Sequence, residues 1–149
     1  MLSTREFWSE GAYRAKIKSP LEMVVSAVRA LDADVESALG LAFTLEELWQ
    51  PLYEKQEPTG YSNSSEEWVN STALLARMNF AQALAANNVA GVRVDLWRPD
   101  HTQPPDPLRV AKALLPGGVS QQTRAAIAGG SSASQVVGLI LGSPDFQRR

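Results

Sequence analysis

Apolar residues recur along this chain at helical intervals, and turn-forming residues divide the pattern into segments. Leu21, Val24, Val25, Val28 and Leu31 follow an i, i+3, i+4, i+7 spacing, with Glu22, Ser26 and Arg29 largely on the other side. At the head of that stripe, Ser19 predicts an N-cap, Pro20 the first helical position and Glu22 the return arm of a capping box. A second helix is predicted from about Val35 to Trp49, with Val35, Ala38, Leu39, Ala42 and Trp49 on one side. Gly40 weakens it, and Thr44 with Glu47 offers the cap of a separate, shorter helix. Pro51 ends this segment, and Pro58, Gly60 and Ser62-Asn63-Ser64-Ser65 predict a long loop up to Glu67.

Ser71 to Ala86 predicts the clearest helix, rich in Ala and Leu and free of Gly and Pro. Its apolar residues cover most of the circumference. The expectation is a central helix packed on more than one side, with Leu74, Leu75, Met78 and Phe80 mostly inside. Val92-Arg93-Val94-Asp95-Leu96 alternates like a strand but has no evident partner, so an extended loop is expected. Pro99, Pro104, Pro105 and Pro107 then predict a stiff, irregular connection. Asp106-Pro107 starts a helix to about Leu115, closed by Pro116-Gly117-Gly118. Helices over Ser120 to Ala128 and about Ser132 to Leu141 follow, the first closed by Gly129-Gly130.

The fold class is therefore all-α: one compact helical domain over residues 1–149, with about five to six helices, a long aromatic-containing loop and a Pro-rich connection. The two ends echo each other as Leu2-Ser3-Thr4-Arg5-Glu6-Phe7 and Leu141-Gly142-Ser143-Pro144-Asp145-Phe146. Each echo predicts a Ser or Thr capping a short turn, with a carboxylate behind it and a Phe anchored on the core. If Leu2 ends a helix as Leu141 does, a preceding portion is expected upstream.

Composition narrows the chemistry. A length of 149 residues suits one core, and a net charge of −2 argues against nucleic acid as a partner. Arg14, Lys16 and Lys18 are too few to reverse that balance. With no cysteine, there is no disulfide, thiolate ligand or Cys nucleophile. His101 is the sole histidine, which excludes a zinc site of several imidazoles within one copy, and no cofactor is expected. The apolar runs are too short to span a membrane, and Met1 to Glu6 lacks the features of a signal peptide.

Two groups of residues are candidates for binding. Arg77 and Asn79 interrupt an apolar helix, and as a pair they either line a ligand cleft or serve as a surface Arg and a structural Asn bonded to the Gly60–Trp68 loop. Tyr53, Tyr61 and Trp68, with Trp49, surround the long loop, either as a stacking platform for a sugar or peptide or as pins holding the loop to its core. Glu46-Glu47 and Glu66-Glu67 diverge by about 100° on a helix and form no acid/base couple. Asp95, Asp100 and His101 could ligate a metal, but their Pro-rich setting favours a solvated loop. Ser131-Ser132 after Gly129-Gly130 lacks the strand and Lys of a phosphate loop. No catalytic or metal-ligating residue is assigned.

Several motifs in order carry a family resemblance: Glu6-Phe7-Trp8, Lys18-Ser19-Pro20-Leu21-Glu22, Gln50-Pro51-Leu52, Gly60-Tyr61, Trp68, Leu74-Leu75-Ala76-Arg77-Met78-Asn79-Phe80 and Ser143-Pro144-Asp145-Phe146. Together they span nearly the whole chain and resemble the C-terminal part of the bacterial domain-of-unknown-function family 1800. The resemblance implies the C-terminal portion of a larger, mostly helical bacterial protein, often exported, whose histidine- and carboxylate-rich motifs lie upstream. It thus implies a non-catalytic structural or interaction module that contacts the upstream portion or a protein partner. The alternatives are one wall of an active site completed upstream, and carbohydrate or peptide binding at the Tyr53–Trp68 loop.

Overall fold

The computed structural model describes residues 4, 5, 8, 9, 14–62, 64–96 and 106–149, and among them the fold is mostly helical. The first helix, α1 (Pro20–Ala30), starts as its sequence dictates. Ser19 Oγ accepts a hydrogen bond from the Glu22 amide at 3.3 Å, and the Glu22 carboxylate accepts one from the Ser19 amide at 2.8 Å. The next free amide, Leu21, donates to Gln50 Oε1 at 2.8 Å, so the helix start is satisfied from two directions. Ser19→Ala is expected to cost about 0.5–2 kcal/mol and Ser19→Gly only a few tenths. Urea denaturation of the two variants checks this, and equal losses would remove the cap from the account.

The segment after α1 departs from expectation. Asp34–Val35 (β1) pairs antiparallel with Val92–Arg93 (β2), in the register Asp34↔Arg93 and Val35↔Val92. The strand-like alternation at Val92 therefore does have a partner, and α2 begins only at Leu39, running to Glu47. A two-residue strand with both side chains exposed carries no periodic signal, so its sequence merged with the helical pattern beyond it. Thr44 caps no separate helix: its hydroxyl donates to the Gly40 carbonyl at 2.9 Å, inside α2.

After a 3-10 turn at Ser65–Trp68, α3 covers Ser71–Ala85. Asn70 caps it, accepting from the Ala73 amide at 2.8 Å. Past its end, Asn87 adopts a positive φ of 59° and its side chain bonds both the amide and the carbonyl of Val94. Burial along α3 differs from the expected pattern. The buried stripe is Ala73, Arg77, Phe80, Ala81, Leu84 and Ala85, whereas Leu74, Leu75 and Met78 are exposed. Phe80 is inside as expected; the other three are not, because α3 buries one stripe rather than most of its circumference. Leu75 is 58% exposed, so truncating it to Ala opens no cavity of the kind that makes a buried leucine costly.

Four more helices complete the fold among the described residues: α4 (Pro107–Leu114), α5 (Gln121–Ala128), α6 (Ala133–Gly142) and α7 (Pro144–Gln147). Asp106, Ser120, Ser132 and Ser143 each accept a hydrogen bond from an amide in the first turn. The brief α7 is the predicted C-terminal echo, with Ser143 as cap and Phe146 buried; most of the N-terminal echo lies outside the described residues. α6 packs along α3, and Gly138 and Gly142 let the two backbones close in over Gln82 and Met78. Around this pair, Met23, Val24, Leu45, Leu84, Ile140 and Leu141 form the middle of one core.

Candidate functional site

The aromatic loop turns inward. The Tyr61 hydroxyl donates to the Pro51 carbonyl at 2.7 Å, and Trp68 Nε1 donates to the Ser62 carbonyl at 3.0 Å. Their rings meet at 6.2 Å with a 53° tilt, and Trp68 is 8% exposed. Tyr53 stands fully exposed on a positive φ of 64°, apart from this pair. These contacts tie the loop to the body and leave no shared flat face of three rings.

Arg77 and Asn79 are also separated, and in the reverse of the surface-Arg and structural-Asn reading. Arg77 is 1% exposed, while Asn79 is exposed beside a groove between α2 and α3. One Arg77 Nη donates to the Lys18 carbonyl at 2.9 Å, and the other reaches Gln147 Oε1 at 3.4 Å and Met23 Sδ at 3.8 Å. Burial lowers the pKa of its guanidinium. A cavity of about 170 Å³ separates Arg77 from Trp68 and Glu67, so Trp68 and Arg77 share a cavity that Tyr53 does not line.

The residues held by Arg77 belong to the two ends of the described chain. Lys16 and Arg149 exchange backbone hydrogen bonds at 3.2 and 2.8 Å, and the Lys18 amide donates to the Gln147 carbonyl at 2.8 Å. Arg149 Nη2 then pairs with Glu22 Oε1 at 2.6 Å. Parts of four motifs that carry the family resemblance therefore meet at one node: Lys18 to Glu22, Gln50, Arg77 and Phe146. At this node the signature residues do structural work.

Joining the ends also gathers charge. Arg14, Lys18, Arg29, Arg148 and Arg149 line one open groove of about 970 Å³ between α1 and the end of α4, with Glu22 and Asp145 as its carboxylates. Lys18 Nζ lies 3.8 Å from the centre of the Phe146 ring and donates to Ser26 Oγ at 3.0 Å. Its pKa is lowered to about 8, first by burial and then by Arg14, with Arg149 adding to the effect and Glu22 opposing it. Burial works to raise the pKa of Asp145, but bonds from Thr123 and Ser120, helped by Arg14, bring it below its ordinary value. Arg14, Lys16 and Lys18 stand close together in the sequence, but the cluster does not, because Arg148 and Arg149 join it only through the pairing of the ends.

A second groove, of about 350 Å³, runs between α2 and α3 past Gly40, Phe43, Glu47, Ala76, Asn79 and Ala83. Leu39 and Phe43, one turn apart on α2, are 69% and 66% exposed, and Leu75 stands one turn before Asn79 on α3. No group of three or more His, Asp or Glu side chains among the described residues is placed to hold a metal; Asp100 and His101 lie outside them.

No curated protein and no solved structure matches this chain. The family model described as "Protein of unknown function (DUF1800)" matches residues 1–148, in agreement with the motifs that converge on α1, α3 and α7, and the chain belongs to that family.

Proposed function

We propose that the chain is a non-catalytic helical interaction module that docks through its α2–α3 face onto another portion of the same protein or onto a protein partner. The observation that carries this reading is the apolar exposure of Leu39 and Phe43 on α2 and of Leu75 on α3, one turn before Asn79, with Phe43 and Asn79 lining the groove between the two helices. Large exposed apolar side chains gathered on one face mark interaction surfaces, because leaving that area in water forgoes about 25 cal/mol per Å². Trp8, in the N-terminal segment, is also exposed at 72%, while Phe7 and Tyr13 lie outside the described residues. No helix among the described residues is long and apolar enough to cross a membrane.

Photo-crosslinking in cells tests the reading. A photoreactive side chain at Leu75 is expected to give one adduct that maps to a defined peptide, and Phe43→Ser is expected to remove it without lowering the melting temperature. The same probe at exposed Lys112 serves as the control. Adducts at Leu75 no stronger than at Lys112 would overturn the proposal.

A further inference from the structure

We infer that the groove between α1 and the α4–α7 end binds an acidic amphipathic polypeptide segment, with carboxylates on Arg14, Arg29 and Arg148 and apolar side chains on Leu21, Val25 and Leu114. The groove shares no lining residue with the α2–α3 face, so this inference stands apart from the docking proposed above.

Charge is the first argument. The whole chain carries −2, yet this groove gathers five cations and two carboxylates, Arg14, Lys18, Arg29, Arg148 and Arg149 against Glu22 and Asp145. Both carboxylates are already engaged within the protein. Glu22 accepts from the Ser19 amide and pairs with Arg149; Asp145 accepts from the Ser120 amide at 2.8 Å and the Thr123 hydroxyl at 2.7 Å. Among the described residues, Arg14, Arg29 and Arg148 have no carboxylate within ion-pairing distance. A surface that has used its own anions and holds several unmatched guanidinium groups complements a ligand with spaced carboxylates, which suit their forked donors.

The floor is the second argument. Leu21 is 37% and Val25 45% exposed, one turn apart on α1, and Leu114 faces the same groove. A nucleic acid would leave these side chains uncovered. Among the described lining residues the one ring is Phe146, which is buried with Lys18 Nζ over its face and so offers no platform for a base. An amphipathic helix instead offers apolar anchors at the spacing of Leu21 and Val25, with charges on its flanks. At about 1.5 Å per residue, the 11 residues of α1 give a wall of about 16 Å, enough for about three turns of a bound helix.

The probe is a fluorescein-labelled peptide with leucine on one helical face and glutamate on the other, followed by fluorescence anisotropy. Saturable binding that weakens with added salt is expected, as is none to the same peptide with lysine in place of glutamate. Arg29→Gln with Arg148→Gln is expected to lower affinity about tenfold, about 1.4 kcal/mol shared between two exposed ion pairs. Val25→Ser is expected to lower it as well. Neither side chain changed in the double variant makes a hydrogen bond within the described fold, so circular dichroism melting should be retained. Equal binding of the glutamate and lysine peptides would overturn the inference, as would undiminished binding by the double variant. Binding to phosphatidylglycerol vesicles without binding to the peptide would assign the groove to a lipid surface, and self-association lost in Arg148→Gln without peptide binding would assign it to a second copy; either result overturns it.

Discussion

Replacing Arg77 with alanine is expected to lower stability by about 3–5 kcal/mol, the range for truncating a large buried side chain. The residue is 1% exposed, and its truncation both empties a volume in the core and strands the Lys18 carbonyl and the Gln147 side chain. Leaving a buried partner unbonded costs about 1–3 kcal/mol of desolvation, which is part of that loss. The opposing effect is the cost of keeping a guanidinium out of water, which the variant removes. Arg77→Met separates the two contributions, because it keeps most of the volume and deletes the charge together with the hydrogen bonds. If the bonds dominate, Arg77→Met is less stable than wild type by chemical denaturation. A Met variant as stable as wild type would mean that desolvation cancels them and the node is no clamp. Arg77→Lys should recover only part of the loss, since one ammonium does not reproduce two forked donors aimed at different partners.

Gly40→Ala is expected to destabilise the protein by about 1–3 kcal/mol, although alanine is the better helix former by about 1 kcal/mol. The reason is a backbone contact. A Cβ at Gly40 would overlap the Ala90 carbonyl oxygen and lie 3.0 Å from its carbon and 3.1 Å from the Ala90 nitrogen. Ala90 sits in the turn that Gly91 makes with a φ of +74°, and the Gly91 carbonyl accepts from the Ser37 amide at 3.1 Å. That turn has little freedom to retreat. Gly138→Ala is the informative comparison: its Cβ would meet the Gln82 amide group at 2.5 Å, the far end of a side chain that can swing aside. Thermal denaturation should rank Gly40→Ala well below Gly138→Ala, and a Gly40→Ala protein more stable than wild type would overturn the close approach.

The α3 helix shows most clearly where hydrophobicity misleads. Its existence, length and start were readable from Ala/Leu content and the absence of Gly and Pro, but its orientation was not. Leu74, Leu75 and Met78 are more apolar than Arg77, yet Arg77 lies on the stripe Ala73–Arg77–Phe80–Leu84 and they do not. A helix faces the core along the stripe its neighbours can cover, and the small residues of that stripe fit the close approach of α6 at Gly138 and Gly142. The Arg then finds partners that no local pattern specifies, 59 and 70 residues away in sequence.

The candidate sites divide in the same way. Tyr61 and Trp68 were visible as loop aromatics, but only the fold shows them turned onto each other and onto backbone carbonyls. The cationic groove was half visible, as Arg14 and Lys18, and its other half depends on a pairing between residues 16–18 and 147–149. The sequence by itself determined what local interactions control: the all-α class, the caps at Ser19, Asp106 and Ser143, the helix-ending prolines and glycines, and the family motifs. Caps and periodicity act over three or four residues, within reach of reading along the chain. Only the tertiary structure decided which face of α3 is buried, which glycine meets a backbone carbonyl and which charges share a groove, because those outcomes depend on contacts between segments whose proximity no local pattern encodes.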